Sequence, residues 1–395
     1  MKVIKWISLV IYILIIGSSD VYSQDKEFQS FLLESSIENK SGYITELPII
    51  NNLNNFIIIK VEIDGKNFNF LFDTGSMISL ISEKVVGDTR KFKKISLTDG
   101  SGKDEKVNTV KKDFKLNNIL FKEIGFAVID FEHLNKYSCI QIDGILGANA
   151  IRLANWQINP SKAILKLSDV PFIVDSNAIE IDLKFYNGLL PLIEFTFGGE
   201  NFLTLLDTGY SSTLSINKDF YSSSEKFKKL PSYSGSGIFS GTYKKLIEQK
   251  IKKVEIDSIN LDTHLFTNIE SYITDEKPHL GYGFLKDYIT TINIENKKLY
   301  FGILKTEKRK NIDFDLSFTF NSKKELIVAF VWEDSQLSKA GVKFGDRITK
   351  INGVKTDKVD EDTYCSLKDE IESLDSVEIS ILQGKVEHTY SLIRN

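Results

Sequence analysis

Gly65-Lys66-Asn67-Phe68-Asn69-Phe70-Leu71-Phe72-Asp73-Thr74-Gly75 and Gly199-Glu200-Asn201-Phe202-Leu203-Thr204-Leu205-Leu206-Asp207-Thr208-Gly209 are the two stretches on which the reading turns. They align without a gap, sharing Gly, Asn, Phe, Leu, Asp, Thr and Gly, with Asp73 and Asp207 134 residues apart. The same offset carries Gly147, in Gly144-Ile145-Leu146-Gly147, onto Gly281, in Pro278-His279-Leu280-Gly281. Ile158 to Leu165 and Ile292 to Leu299 then read alike, as strand, turn and closing strand. The chain therefore repeats one design, over residues 45–170 and 176–304.

Each half reads as β. Ile57 to Ile63 is rich in β-branched residues, Asp64-Gly65 is a turn dipeptide, and Phe68 to Phe72 is a second apolar run ending at the acid. Leu192 to Phe197, Gly198-Gly199 and Phe202 to Leu206 repeat the arrangement. Each set predicts a hairpin that delivers an aspartate at a strand end. Turn-rich stretches follow in both halves: Asp99, Gly100, Ser101 and Gly102 in the first, Ser234, Gly235, Ser236 and Gly237 in the second. Both are read as hairpin tips and as candidate flaps.

A length of 395 residues predicts two or three units, and an apolar fraction of 42% supports packed cores rather than disorder. Fifty basic residues against 54 acidic ones, a net charge of -4, leave no electrostatic case for a nucleic-acid partner. Lys2 and Lys5 precede an apolar run from Ile7 to Ile16 that is short for a bilayer span. Residues 1–23 are thus read as a signal peptide and 24–44 as an N-terminal segment, left open between pro-segment, linker and part of the first half. The mature protein is expected to be exported: periplasmic, cell-surface or secreted. Cys139 and Cys365 are too few for a stapled scaffold, and each is read as a small buried apolar residue. His133, His264, His279 and His388 are scattered without a helical zinc spacing, and no Gly-x-Ser-x-Gly elbow occurs. No metal, cofactor or serine nucleophile is expected.

A lone Asp-Thr-Gly is usually only a turn. Two copies, each after an apolar run and at matching places in a repeat, point to chemistry. Two carboxylates within hydrogen-bonding reach cannot both ionise, so the pair shares one proton and supplies a base and an acid together. The glycine after each threonine admits close backbone approach, and its N–H can hold the carboxylate.

Phe72-Asp73-Thr74-Gly75-Ser76 with Ile145-Leu146-Gly147, and Leu206-Asp207-Thr208-Gly209 with Leu280-Gly281, resemble the doubled pattern of retropepsin-like and pepsin-like aspartic peptidases. The half-length is closer to bacterial retropepsin-like proteins than to the larger secreted pepsins. The resemblance implies a mainly β, bilobal acid-protease fold over about residues 45–304, with Asp73 and Asp207 holding the attacking water. It also implies that Thr74 and Thr208 brace the lobes, with Gly75, Ser76 and Gly209 supporting the pair. Two residues depart from the pattern: Tyr210 replaces a usually small residue, and His279 an aliphatic one.

After a charged linker at 305–311, residues 312–395 read as a strand (Leu326 to Val331), a short helix closed by Gly341, a strand entering the Asn352-Gly353 turn, a helix from about Asp362 to Leu374, and two closing strands. Ala340 to Gly353 resembles the corresponding run of a bacterial PDZ domain, an α/β unit. That resemblance implies an extended peptide added along the first strand beside the helix, with Leu326, Val328, Phe330, Leu367 and Ile371 lining the groove.

The leading expectation is a monomeric aspartic endopeptidase acting on protein or peptide substrates, with the C-terminal unit recruiting substrate or a partner or gating the cleft. The rival, motivated by Tyr210 and His279, is a non-catalytic peptide-binding or scaffold protein that retains the bilobal fold. A dimer with two mixed sites is a third arrangement.

Overall fold

The computed structural model describes residues 26–38, 41–50, 56–87, 94–98, 104–240, 246–304 and 317–393. The segments read as signal peptide (1–23) and linker (305–311) lie outside the described residues. Strands account for 53% of the described residues and helices for 17%, so sheets position the site. The first half runs α1 (Lys26–Leu33), β1 (Ser36–Ile37), β2 (Ile44–Pro48), β3 (Ile58–Ile63), β4 (Lys66–Phe72), β5 (Ser79–Ser82), β6 (Lys94–Thr98), β7 (Asp104–Leu116), β8 (Ile119–Ile129), α2 (Glu132–Ser138), β9 (Gly144–Leu146), β10 (Asn155–Asn159) and β11 (Ile164–Ser168). The second half runs β12 (Ile179–Asp182), β13 (Lys184–Tyr186), β14 (Leu190–Phe197), β15 (Glu200–Asp207), β16 (Leu214–Asn217), β17 (Ser232–Ser240), β18 (Leu246–Leu261), β19 (His264–Thr274), β20 (His279–Gly281), β21 (Tyr288–Asn293) and β22 (Lys298–Ile303). The C-terminal unit comprises β23 (Ser317–Phe320), β24 (Leu326–Trp332), β25 (Arg347–Ile351), β26 (Val354–Lys355), α3 (Glu361–Glu372), β27 (Ser376–Gln383) and β28 (Val386–Ile393).

The two halves build their sheets by the same local rules. Asp64 and Gly65 both take positive φ (49° and 75°), and so do Gly198 and Gly199 (60° and 87°). Two consecutive left-handed residues give a two-residue turn whose twist matches the flanking strands. Hairpins β3–β4 and β14–β15 result. The acid-bearing strand of each then pairs in parallel with the short glycine strand, Phe72 opposite Leu146 in one half and Leu206 opposite Leu280 in the other. The halves meet in a six-stranded sheet of order β12-β22-β21-β10-β11-β2. At its centre Gln157 lies opposite Thr291, its own counterpart in the repeat, and Gln157 Nε2 donates to Thr291 Oγ1 at 3.0 Å.

The segment before residue 45 is woven into the first half. Phe28, Phe31 and Leu32 of α1 are buried, β1 pairs with β8 and β2 with β11. Arg152 fastens it further by donating to Ser35 Oγ at 3.0 Å. The segment's three apolar anchors are part of the buried core.

Three expectations are corrected. First, Ser234, Gly235, Ser236 and Gly237 are not a hairpin tip: they lie within β17, paired with β18 on one side and with β24 on the other. Residues 241–245, between β17 and β18, lie outside the described residues, as do the other flap candidates, Asp99, Gly100, Ser101 and Gly102. Second, the strand read as the peptide-accepting edge of the C-terminal unit has no open edge. β24 pairs with β23 along one side, and with β25 and β17 along the other. Leu326, Val328, Phe330 and Ile371 are buried core residues and Leu367 packs against them, because the chain supplies in cis the neighbours that a ligand would have supplied. Third, the cysteines are not separate apolar fillers. Cys139, at the end of α2, and Cys365, in α3, form a disulfide with Cα atoms 5.4 Å apart across 226 residues of sequence. That separation along the sequence is closed by the fold, which seats α2 against the C-terminal unit.

Closing so long a loop restricts the unfolded chain strongly. Cys139→Ser is therefore expected to lower stability by about 2–5 kcal/mol, read from denaturant melts. Maleimide should label neither cysteine of the wild-type protein until it is reduced.

Candidate active site

Asp73 follows directly on β4 and Asp207 ends β15, and both are fully buried. Each is gripped by its own loop. Asp73 Oδ1 accepts from the N–H of Gly75 (2.8 Å) and of Ser76 (3.1 Å). Asp207 Oδ1 accepts from the N–H of Gly209 (2.9 Å) and of Tyr210 (3.1 Å). One oxygen of each carboxyl is thereby fixed, and the two carboxyls lie close enough for a side-chain hydrogen bond between them.

The glycines bring the two acids together. A Cβ on Gly75 would lie 2.4 Å from Asp207 Cγ, and one on Gly209 would lie 2.4 Å from Asp73 Cγ. Each loop therefore packs its bare Cα against the opposite carboxyl, and any side chain there would push the pair apart.

The threonines lock this arrangement reciprocally. Thr74 Oγ1 donates to Leu206 O (2.6 Å) while accepting from the Thr208 N–H (3.0 Å). Thr208 Oγ1 donates to Phe72 O (2.7 Å) while accepting from the Thr74 N–H (3.0 Å). Four buried backbone groups are satisfied by two hydroxyls, each supplied by the other half. Orphaning a buried polar group costs about 1–3 kcal/mol, so neither loop can leave its partner cheaply.

Burial dominates the electrostatics of the pair. Desolvation pushes both carboxyls above the usual carboxylate range, and the charge of Asp73 raises Asp207 further. The backbone N–H donors oppose this without overcoming it. The pair can thus hold one proton jointly well above the pH at which a solvated aspartate is fully ionised.

The two departures from the repeat have local explanations. Tyr210 keeps the backbone role of Ser76, since its N–H reaches Asp207 and its carbonyl accepts from the Tyr282 N–H at 2.7 Å, as Ser76 O does from Ala148. Its ring is buried in the core, 5.8 Å from that of His279. His279 lies opposite Ser215 where the first half pairs Ile145 with Leu80. Ser215 Oγ accepts from the His279 N–H at 3.0 Å and sits 3.2 Å from its Nδ1. An aliphatic pair has been exchanged for a hydrogen-bonded one. Burial, helped by nearby Lys277, pushes the imidazole down to about 3, so the ring stays neutral.

Sequence reading missed the residue that holds the first glycine loop. Asn149, fully buried, accepts from the N–H and the hydroxyl of Ser79 (2.8 Å each), and Ser79 Oγ accepts from the Gly147 N–H at 3.0 Å. A polar residue two positions past the glycine was the available signal, but the second half has Gly283 there, so the repeat did not mark it.

Residues 59–150 match the family model described as aspartyl protease, and no curated protein matches the chain. The matched segment contains Asp73, the loop that grips it and the Gly147 strand. The match supports a peptidase, a hydrolase, as the general class.

Two measurements probe the geometry. Thr208→Val leaves Phe72 O and the Thr74 N–H without partners and should cost about 2 kcal/mol or more in a urea melt, with Thr208→Ser recovering most of it. The second concerns pH. A carboxyl whose folded pKa is raised binds more protons in the folded than in the unfolded chain, so its contribution is full below the usual carboxylate pKa of about 3.9 and is lost as pH rises through the raised values. Asp207→Asn removes that loss. It should be more stable than wild type near pH 7, and the gap should close below about pH 4.

Proposed function

We propose that this chain is a bilobal aspartic endopeptidase in which Asp73 and Asp207 together activate water against a peptide bond. The single observation that carries this reading is the packing of each Asp-Thr-Gly loop onto the opposite carboxyl. A pair of structural turns has no reason to bury two acids face to face, where burial alone disfavours their ionisation. A pair built for proton exchange does.

In the mechanism, one carboxyl is ionised and the other protonated. The ionised group takes a proton from water as its oxygen adds to the peptide carbonyl, and the protonated group donates to the carbonyl oxygen. A tetrahedral diol forms. In its collapse the C–N bond breaks, the carboxyl that took the water proton passes it to the departing amine, and the other carboxylate takes a proton from a diol hydroxyl as the C=O re-forms, so that the second product leaves as a carboxylic acid and the pair again holds one proton. Oδ1 of each aspartate is fixed by backbone N–H groups, which leaves Oδ2 of each to handle water and substrate. No metal or cofactor enters this scheme.

Both acids come from one chain, which favours a monomer over a dimer with mixed sites. Export to an oxidising compartment is supported by the Cys139–Cys365 bond. The non-catalytic alternative loses most of its motive, since Tyr210 preserves the backbone donor and His279 has found a partner.

Asp73→Asn and Asp207→Asn should each lower kcat on a broad peptide library by at least about a hundredfold, with circular dichroism unchanged. Full activity in either variant would remove the assignment. The wild-type pH profile should have both limbs displaced upward from the solvated carboxylate range, following the direction in which burial moves the pair.

A further inference from the structure

The C-terminal unit is joined to the second half through β24. Gly235 lies opposite Trp332, Ser236 opposite Val331 and Gly237 opposite Phe330, and the Glu333 N–H donates to Ser234 O at 2.9 Å. Residues 235 and 237 point to one face of their strand, and neither could carry a side chain. A Cβ at 235 would lie 2.2 Å from Phe330 Cζ, and one at 237 would lie 2.5 Å from Phe330 Cδ2 and from Ala329 O. The Gly-Ser-Gly of β17 is thus a seat for the Phe330 ring. Trp332 packs edge-on to Phe330 at 4.9 Å and lies 4.9 Å from Lys253 Nζ. That lysine is 1% exposed and paired with Glu270 at 3.0 Å, to which Tyr272 also donates at 3.2 Å. Phe330, Val331, Trp332, Ile251, Tyr272 and Tyr210 belong to one continuous buried cluster, which runs from the C-terminal unit to the loop carrying Asp207. The same unit is tied to the first half by the disulfide and by Tyr137 stacked 5.2 Å from Phe320.

We propose that the C-terminal unit is a built-in buttress of the site, with Phe330 as a positioning residue that sets hairpin β17–β18 and, through the shared core, the Asp207 loop. It replaces the substrate-recruiting role that the unit's resemblance implied, and it rests on the peptidase reading. A tethered recruiting module makes no fixed contact with the body. Here β24 of the unit pairs with β17 of the second half, two glycines are spent on one phenylalanine ring, and a buried cation is covered by Trp332.

The test uses the full chain carrying Phe330→Ala or Phe330→Leu, with hydrogen–deuterium exchange of residues 232–237 and peptide cleavage as readouts. Phe330→Ala should speed exchange there at least tenfold and raise KM several-fold, while the pH profile keeps its shape because the dyad is untouched. Phe330→Leu should recover most of both. If the alanine variant does not accumulate as folded protein, Gly237→Ala, which crowds the same seat, carries the same expectations. Unchanged exchange and KM in a folded seat variant would overturn the proposal. Faster exchange in a protein whose wild type cleaves nothing would overturn the peptidase reading instead and leave the buttress standing.

Discussion

Everything in this molecule leans on an exchange of hydrogen bonds between Thr74 and Thr208. Each hydroxyl completes the backbone of the other half, at a depth where water offers no substitute. The exchange is symmetric because the residues are counterparts in the repeat, and a residue bonding its own counterpart must sit on a local twofold axis. Gln157 and Thr291 meet their counterparts in the same way in the shared six-stranded sheet. Two separate contacts therefore hold a single axis, and the carboxyls lie beside it.

That axis explains how a costly arrangement persists. Burying two acids against each other opposes folding at neutral pH, and only a surrounding structure that over-determines their positions can hold them. Here the restraints are backbone N–H donors, glycines that admit no alternative spacing, and threonines that cannot be pulled apart without orphaning carbonyls. Where the halves differ, they differ in compensated pairs. Leu80 with Ile145 becomes Ser215 with His279, and Ser79 with Asn149 becomes Leu214 with Gly283, so the glycine strands keep their place while the chemistry behind them drifts.

Much of this was legible in the sequence because the decisive residues are local and repeated. The turn glycines, the apolar runs and the acids sit within a dozen residues of one another, and the offset fixes the register of both halves. What escaped were relations made only by tertiary contact. Gly235 and Gly237 have the composition of a hairpin tip, and nothing local reveals that Phe330, far along the chain, needs their missing side chains. Leu326 to Val331 reads as a binding edge because periodicity cannot say which neighbour a strand will find. Cys139 and Cys365 looked unrelated because sequence distance measures the loop and not the space between them.

The disulfide has a consequence for how the molecule is made. Its second sulfur belongs to Cys365, well downstream of Asp207, so the crosslink cannot close until the chain has emerged past that point and the unit carrying it has taken shape. Both acids are by then long since synthesised. Covalent closure would therefore act as a late mark in biogenesis, separating molecules in which that unit is in place from shorter ones that already carry both aspartates but have nothing behind the second hairpin.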